Sequence, residues 1–506
     1  MSGRRGLGPE RERLQNGGSR LRASLLSARG LWGNAKGVGE WSVDSRMTTA
    51  PSPPPAVTSA RILRLWWPLA ASWLLMGAEL LLFTVFVARM PDPEVNLAAY
   101  GSIVFPISLV IEAPIIMFLA MSTALVADGD AYAKLHRMML KAGVLLTVVH
   151  VLVAFTPLYD LVAGRVLKVP VEVMEPARIG LRIMTPWTFA IAYRRFHQGI
   201  LIRFEESRAV VVGTAVRLVA NVAVLSVGFA VGGIAGIVVG TCAVATAVVV
   251  EAVYVGWRVQ PVLRERVRPA PVHGAPLTRS AFLSFYVPLA MTPLMMLVIQ
   301  PIGAGAMSRM PNALASLAAW PAVHGFVFIL RSVGMAFNEV VVTLIGEPGA
   351  VRALRRFCFA ATAVVTGLIL LVAFTPLSAF WFGTVSGLAP ELASVACTAL
   401  LFAVLMPGYT FLQSWYQGAL VHSRRTRAVT EAVAIYGVVA VSLLTLGARW
   451  QAHTGIYFAI TTFTIGGILQ TAWLWWRSRG PMRALGPDSD SVPAAEVAWN
   501  GTSPAE

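Results

Sequence analysis

The heptapeptide LVAFTPL occurs twice, at Leu152–Leu158 and again at Leu371–Leu377, a shift of 219 residues. Other agreements fall at shifts of 219 or 220. Arg89-Met90-Pro91 returns as Arg309-Met310-Pro311, Leu97-Ala98-Ala99 as Leu317-Ala318-Ala319, Gln198-Gly199 as Gln417-Gly418 and Trp257-Arg258 as Trp476-Arg477. So many matches in one register mark an internal duplication. Whatever one copy folds into, the other must fold into as well.

Each copy is dominated by apolar runs of about 20 residues, the length at which a helix crosses roughly 30 Å of hydrocarbon. The chain is 56% hydrophobic and 13% charged, with a mean hydropathy of +0.68, outside the range of soluble globular proteins. Backbone facing lipid must satisfy its own hydrogen bonds, so the runs are helices. Barrel strands would alternate polar and apolar residues, and these do not. The first copy holds spans near 63–88, 97–126, 138–163, 176–202, 209–231 and 234–257, the second near 281–307, 314–345, 356–378, 388–421, 428–448 and 454–476. The expected fold is an all-α polytopic membrane protein, with twelve transmembrane helices in two parallel six-helix pseudo-symmetric repeats around a central cleft.

The expected domain order is a disordered basic tail (1–60), the first repeat (61–258), a cytoplasmic basic linker (259–279), the second repeat (280–477) and a disordered C-terminal tail (478–506). The N-terminal tail lacks the apolar core of a secretory signal, and Met47, which opens MTTAPSPPP, is an alternative start. The links on the termini side of the twelve spans hold 16 Lys and Arg, against five on the other side. This asymmetry predicts cytoplasmic N- and C-termini in a plasma (inner) membrane. It also accounts for much of the net charge of +16 without a nucleic-acid partner. Cys242, Cys358 and Cys397 lie in apolar segments at no metal-ligand spacing, and read as small buried residues. There is no phosphate-binding lysine loop, and no two histidines are three or four residues apart, so no cofactor is expected. Asp128-Gly129-Asp130 fits a helix-connecting loop better than a metal-binding DxD.

Ionised groups deep in a bilayer cost at least about 2.5–3.5 kcal/mol each, so charges inside the spans are the candidate site. They are Arg178, Arg182, Arg194, Arg195, Arg217 and Arg331, with Glu79, Glu112, Glu251 and Glu339. In the duplicated frame Glu112 falls on Arg331. That juxtaposition reads as either a structural ion pair between halves or a gate that forms in one state and opens in another. Glu79 is alternatively a protonatable coupling acid. Arg182, Arg217 and Arg331 together would give a cavity a positive field suited to an anion; pairing with Glu79 and Glu112 is the plainer reading. Arg194, Arg195, His197 and Glu251 lie near span ends, where snorkelling explains them. Asn338 and Glu339 form a polar pair that would line an entrance.

WPLA at 67–70, GAE at 77–79, LAAYG at 97–101, QPIGAGAMSR at 300–309 and WPAVHG at 320–325 resemble the multidrug/oligosaccharidyl-lipid/polysaccharide flippase superfamily. This includes the multidrug and toxic compound extrusion (MATE) transporters, and the sequence looks most like the progressive ankylosis branch and its bacterial relatives. The resemblance, over about 61–477, implies a bundle alternating between inward- and outward-open states. Its members move organic cations, lipid-linked sugars or, in the ankylosis branch, phosphorylated and carboxylated anions. Glu79 matches the acid of that branch's first helix, whereas Arg217 stands where an acid is expected.

The leading expectation is an alternating-access secondary transporter, an exporter of a small organic solute, anionic rather than cationic, with a proton or sodium ion as possible coupling ion. A lipid or lipid-linked sugar flippase is the alternative within transport. A membrane-embedded transferase or a non-transporting scaffold are the alternatives outside it.

Overall fold

The computed structural model describes residues 57–271 and 278–485. Nearly all of the expected N-terminal tail, the centre of the linker, and the C-terminal tail from 486 lie outside these residues. In the first half, α1 is Ser59–Val87, α2 Pro93–Leu125, α3 Gly129–Phe155, α4 the broken pair Val171–Ile183 and Thr185–Arg203, α5 Ser207–Val231 and α6 Gly236–Val267. In the second half, α7 is Arg279–Met307, α8 Ala313–Leu344, α9 Ala350–Ala373, α10 the broken pair Pro390–Ala403 and Met406–His422, α11 Arg427–Trp450 and α12 Gly455–Ala484. Among the described residues, eleven helices are long and apolar enough to cross a membrane. The remaining one, α4, carries Arg194, Arg195, His197, Gln198 and Arg203 in its second piece. The chain is a multi-pass integral membrane protein with twelve helices in two repeats, and an even number per repeat makes the halves parallel.

The duplicated heptapeptide does the same work in both halves. Thr156 Oγ1 donates to the Leu152 carbonyl (2.6 Å) and accepts from the Leu158 N–H (3.2 Å), closing α3. Thr375 repeats this at the end of α9 with Leu371 (2.6 Å) and Leu377 (3.4 Å). A wide π-helical stretch follows each, Asp160–Val166 and Phe380–Val385. The breaks in α4 and α10 fall beside Pro186 and Pro407, where proline offers no N–H to continue the ladder. The RMP motifs are each followed by a left-handed residue, Asp92 (φ 47°) and Asn312 (φ 55°), types that tolerate that region.

Several ends differ from the sequence-based spans. Helix α3 starts at Gly129 rather than near 138 because Asp128 Oδ1 accepts the Ala131 N–H at 2.8 Å; the DGD motif is thus a helix cap. Helix α6 runs to Val267 and α12 to Ala484, beyond the expected 257 and 476. Arginine-rich sequence ends an apolar span without ending a helix.

The seam between halves is built from α1 against α8 and α7 against α2, and its bonds come in equivalent pairs. Trp66 Nε1 donates to the Val333 carbonyl at 2.8 Å. Tyr286, one repeat on from Trp66, donates its hydroxyl to the carbonyl of Pro114, the counterpart of Val333. On the face opposite the termini, the Arg89 guanidinium donates to the carbonyls of Thr384 and Val385 (both 2.9 Å) and Ser386 (3.2 Å). Its counterpart Arg309 donates to Val166, the equivalent of Val385. Each arginine therefore satisfies the open carbonyl end of a short helix in the other half. On the termini face Arg61 pairs with Glu347 through two bonds of 2.5 and 2.8 Å. Away from the seam, exposed apolar stripes such as Val144, Val148, Val151 and Phe155 on α3 follow helical spacing and suit a lipid-facing surface.

Candidate functional site

The first half buries a cluster of opposite charges. On α4, Arg194 and Gln198 stand one turn apart, as do Arg217 and Asn221 on α5, so each helix aims two polar groups at one place. Glu251 on α6 receives Arg194 Nη1 at 2.5 Å and Gln198 Nε2 at 3.0 Å, with Arg217 Nε at 3.3 Å. Arg217 also pairs with Glu79 on α1 at 2.9 Å, and Asn221 donates to the same carboxylate at 3.4 Å. Glu112 on α2 is 4% exposed, and its Oε2 has no hydrogen-bond partner among the described residues. The cations acting on it are Arg195 and Arg194. With Glu79, Glu112 and Glu251 set against Arg194, Arg195 and Arg217, the cluster is neutral, the condition under which buried charges are tolerated.

Carrying these positions forward by one repeat gives a different chemistry. Arg194 and Glu251 become Gln413 and Gln470, whose side chains meet at 3.4 Å. Arg217 becomes Tyr436, Glu79 becomes Ile299, Arg195 becomes Ser414 and Glu112 becomes Arg331. All the acids are lost and one arginine is gained. Where the first half packs ion pairs, the second half encloses a cavity of about 60 Å³, lined among others by Gln300, Trp320, His324, Arg331, Tyr436 and Phe463. At roughly 10–15 Å³ of such space per water this holds about four to six waters. Its walls are aromatic. Trp320 stacks on His324 at 5.2 Å and meets Phe463 at 5.6 Å, and Tyr436 stacks on Phe463 at 6.4 Å. Arg331 Nε donates to Thr410 Oγ1 at 3.1 Å, and the guanidinium carbon lies 5.8 Å from the centre of the Tyr409 ring. Among the described residues no carboxylate forms an ion pair with Arg331.

Several expectations are corrected by this arrangement. Glu112 and Arg331 form no ion pair in this structure: Arg331 bonds to Thr410 within its own half, and Glu112 Oε2 has no hydrogen-bond partner among the described residues. Equivalent positions in a duplication occupy equivalent places in separate halves, and meet only if they lie on the axis. Arg182 joins no positive cavity: its Nε donates to the Ala154 carbonyl at 3.3 Å and its guanidinium lies over Phe155, at the end of α3. Arg178 pairs with Asp160. Arg217 is neutralised by Glu79 and Glu251, and of the three proposed cations Arg331 is the one among the residues that line the cavity. Arg194 and Glu251 do not snorkel; their side chains are 6% and 0% exposed and form the centre of the cluster. The Asn338 carbonyl abuts Gly418 of α10, and Glu339 is exposed on α8. The repeat contained a signal for the missed pair, since Arg194 and Glu251 both fall on glutamine.

No protein-family model matches the sequence, and no curated protein matches it. Solved structures match in fold. One is the inward-facing conformation of a multidrug resistance MATE family transporter of the MOP superfamily, with a TM-score of 0.64 at 16% identity, covering 86% of this chain and 100% of that one. The outward-facing conformation of such a transporter gives 0.52 at 16% identity, covering 85% and 97%. A MOP superfamily transporter from Pyrococcus furiosus, one whose binding pocket has reversed polarity, gives 0.54 at 17% identity, covering 85% and 97%. The chain therefore has the fold of the MATE transporters, two six-helix repeats side by side.

Proposed function

We propose that the protein is an alternating-access secondary transporter, an exporter of a small organic anion, with Arg331 as the residue that receives the anionic group. The observation that carries this reading is the unpaired Arg331 in a hollow of the second half, where the first half holds a neutralised cluster. A cation in a low-dielectric site attracts an anion far more strongly than one in water does. The aromatic walls and Gln300 supply apolar and hydrogen-bonding surface around it. The resemblance to the ankylosis branch, whose members move phosphorylated and carboxylated anions, supports the same sign of charge. Bonds cross the seam on both faces, and alternating access requires the two sets to break in turn. Glu112, buried with one unpartnered oxygen, is the group this proposal assigns to a coupling proton; a sodium ion is the other coupling ion to test. The basic links support cytoplasmic termini.

Ligand-dependent thermal stabilisation of the purified protein tests the reading, with carboxylates, phosphorylated anions, quaternary ammonium cations and lipid headgroups as probes. A ligand at 100 times its Kd adds about 2.7 kcal/mol. Anions are expected to stabilise the wild type and to lose their effect in Arg331→Gln. Stabilisation by cations alone would reverse the assignment, by lipid headgroups alone would favour a flippase, and by nothing would favour a scaffold.

A further inference from the structure

The second half carries a groove at positions whose equivalents in the first half are packed with aromatic rings. It holds about 550 Å³ between α9, α10 and α12, lined among others by Thr362, Gly408, Leu412, Ile468, Ala472 and Trp475. One repeat earlier, Thr362 corresponds to Gly143, Gly408 to Phe189, Leu412 to Tyr193 and Trp475 to Gly256. There the space is occupied by rings. Phe189 packs so closely that a Cβ added to Gly143 would lie 3.1 Å from it, and one on Gly256 would lie 2.7 Å from the Tyr193 hydroxyl. Small residues on α3 and α6 thus accept large ones from α4, whereas in the second half Gly408 packs against Thr366 of α9, with 2.3 Å from an added Cβ to the Thr366 hydroxyl, and the groove opens beside it along Leu412, Ile468 and Trp475.

The groove lies along membrane-spanning helices and ends in positive charge. From Ile468 to Arg479 is eleven residues of α12, about 17 Å of helix, close to the roughly 15 Å depth of one leaflet's hydrocarbon. At its end the Arg479 guanidinium sits 3.7 Å over the Trp475 ring, and the Arg425 guanidinium lies beside Gly480 of α12, 3.6 Å from where a Cβ there would stand. Neither arginine forms an ion pair among the described residues, whereas neighbouring Arg477 pairs with Glu431. We infer that the groove holds one acyl chain of an anionic membrane phospholipid, in the leaflet on the termini side, with its phosphate at Arg479 and Arg425.

Native mass spectrometry of the purified full chain tests this, with phosphatidylglycerol or phosphatidylcholine added. The wild type should retain one phosphatidylglycerol in preference to phosphatidylcholine. Arg479→Gln should reduce that preference about fivefold, one basic residue's share of the attraction to an anionic surface. Ala472→Trp fills the groove from an exposed position that needs no repacking, and should abolish retention of both lipids while leaving the lipid-free melting temperature unchanged. Equal retention in Ala472→Trp and the wild type, or no preference for the anionic lipid in the wild type, would overturn the inference.

Discussion

Changing Glu251 to Gln removes the carboxylate that Arg194 Nη1 approaches at 2.5 Å, in a place where the two side chains are 6% and 0% exposed. Arg217 still has Glu79 at 2.9 Å, but Arg194 is left as an uncompensated charge, and the cluster moves from neutral to a net +1. Breaking a buried pair from one side costs about 3–5 kcal/mol. Arg194→Gln moves the cluster to −1 but leaves Glu251 with Arg217 at 3.3 Å and Gln198 at 3.0 Å, so its cost should sit near the lower end of that range. The double variant restores neutrality and installs the amide pair that Gln413 and Gln470 already form in the second half. It should cost no more than either single change, giving a coupling energy of about 3 kcal/mol. Equilibrium unfolding of the four proteins in detergent, read by intrinsic fluorescence, measures the cycle. Effects that add to within about 0.5 kcal/mol would mean that the two residues do not act as a pair, and the neutral-cluster account would fail.

The seam makes further predictions that use its internal symmetry. Arg89→Ala and Arg309→Ala each release a helix end in the opposite half. Each should raise labelling of cysteines placed on the face opposite the termini, and the double variant more than either; unchanged labelling would remove their role in closing that face. Trp66→Phe and Tyr286→Phe each strip a bond from an equivalent carbonyl and should destabilise by a similar amount, about 1 kcal/mol, in the same unfolding assay. Gly199→Ala would place a Cβ 2.0 Å from Ser122 Oγ and 2.2 Å from the Leu119 carbonyl oxygen, so folded protein should be lost in size-exclusion chromatography. Gly367→Ala, with nothing within 4 Å, should be tolerated and gain at most about 1 kcal/mol from helix propensity.

The sequence made the fold legible because a bilayer leaves few choices. Apolar length calls for helices, and the duplication at 219 residues fixed how many and in what order, down to the identical caps at Thr156 and Thr375. Helix ends were less legible, since α12 continues through Arg477 after the apolar run stops, and Asp128 begins α3 in what looks like a loop. The site was only half visible. Glu79, Glu112, Arg217 and Arg331 stood out as charges in apolar sequence, but their partners depend on which way each helix face turns, and hydropathy does not record that. Arg194 and Glu251 lie near the ends of their apolar runs, but position along a helix does not give depth: α4 is broken at Met184 and its charged piece is buried. The contrast between halves would have served better than the charges alone: residues that pair in one copy and become amides in the other belong together.

Flux into proteoliposomes preloaded with unlabelled substrate tests the central claim most directly. Labelled organic anions, from carboxylates to phosphorylated compounds, are compared with a quaternary ammonium cation, for the wild type, Arg331→Gln and Arg331→Lys. The account predicts anion exchange by the wild type, loss of that exchange in Arg331→Gln, and partial recovery in Arg331→Lys, which keeps the charge without the planar fork. Anion exchange of equal rate in the wild type and Arg331→Gln, or exchange of the cation alone, would contradict it.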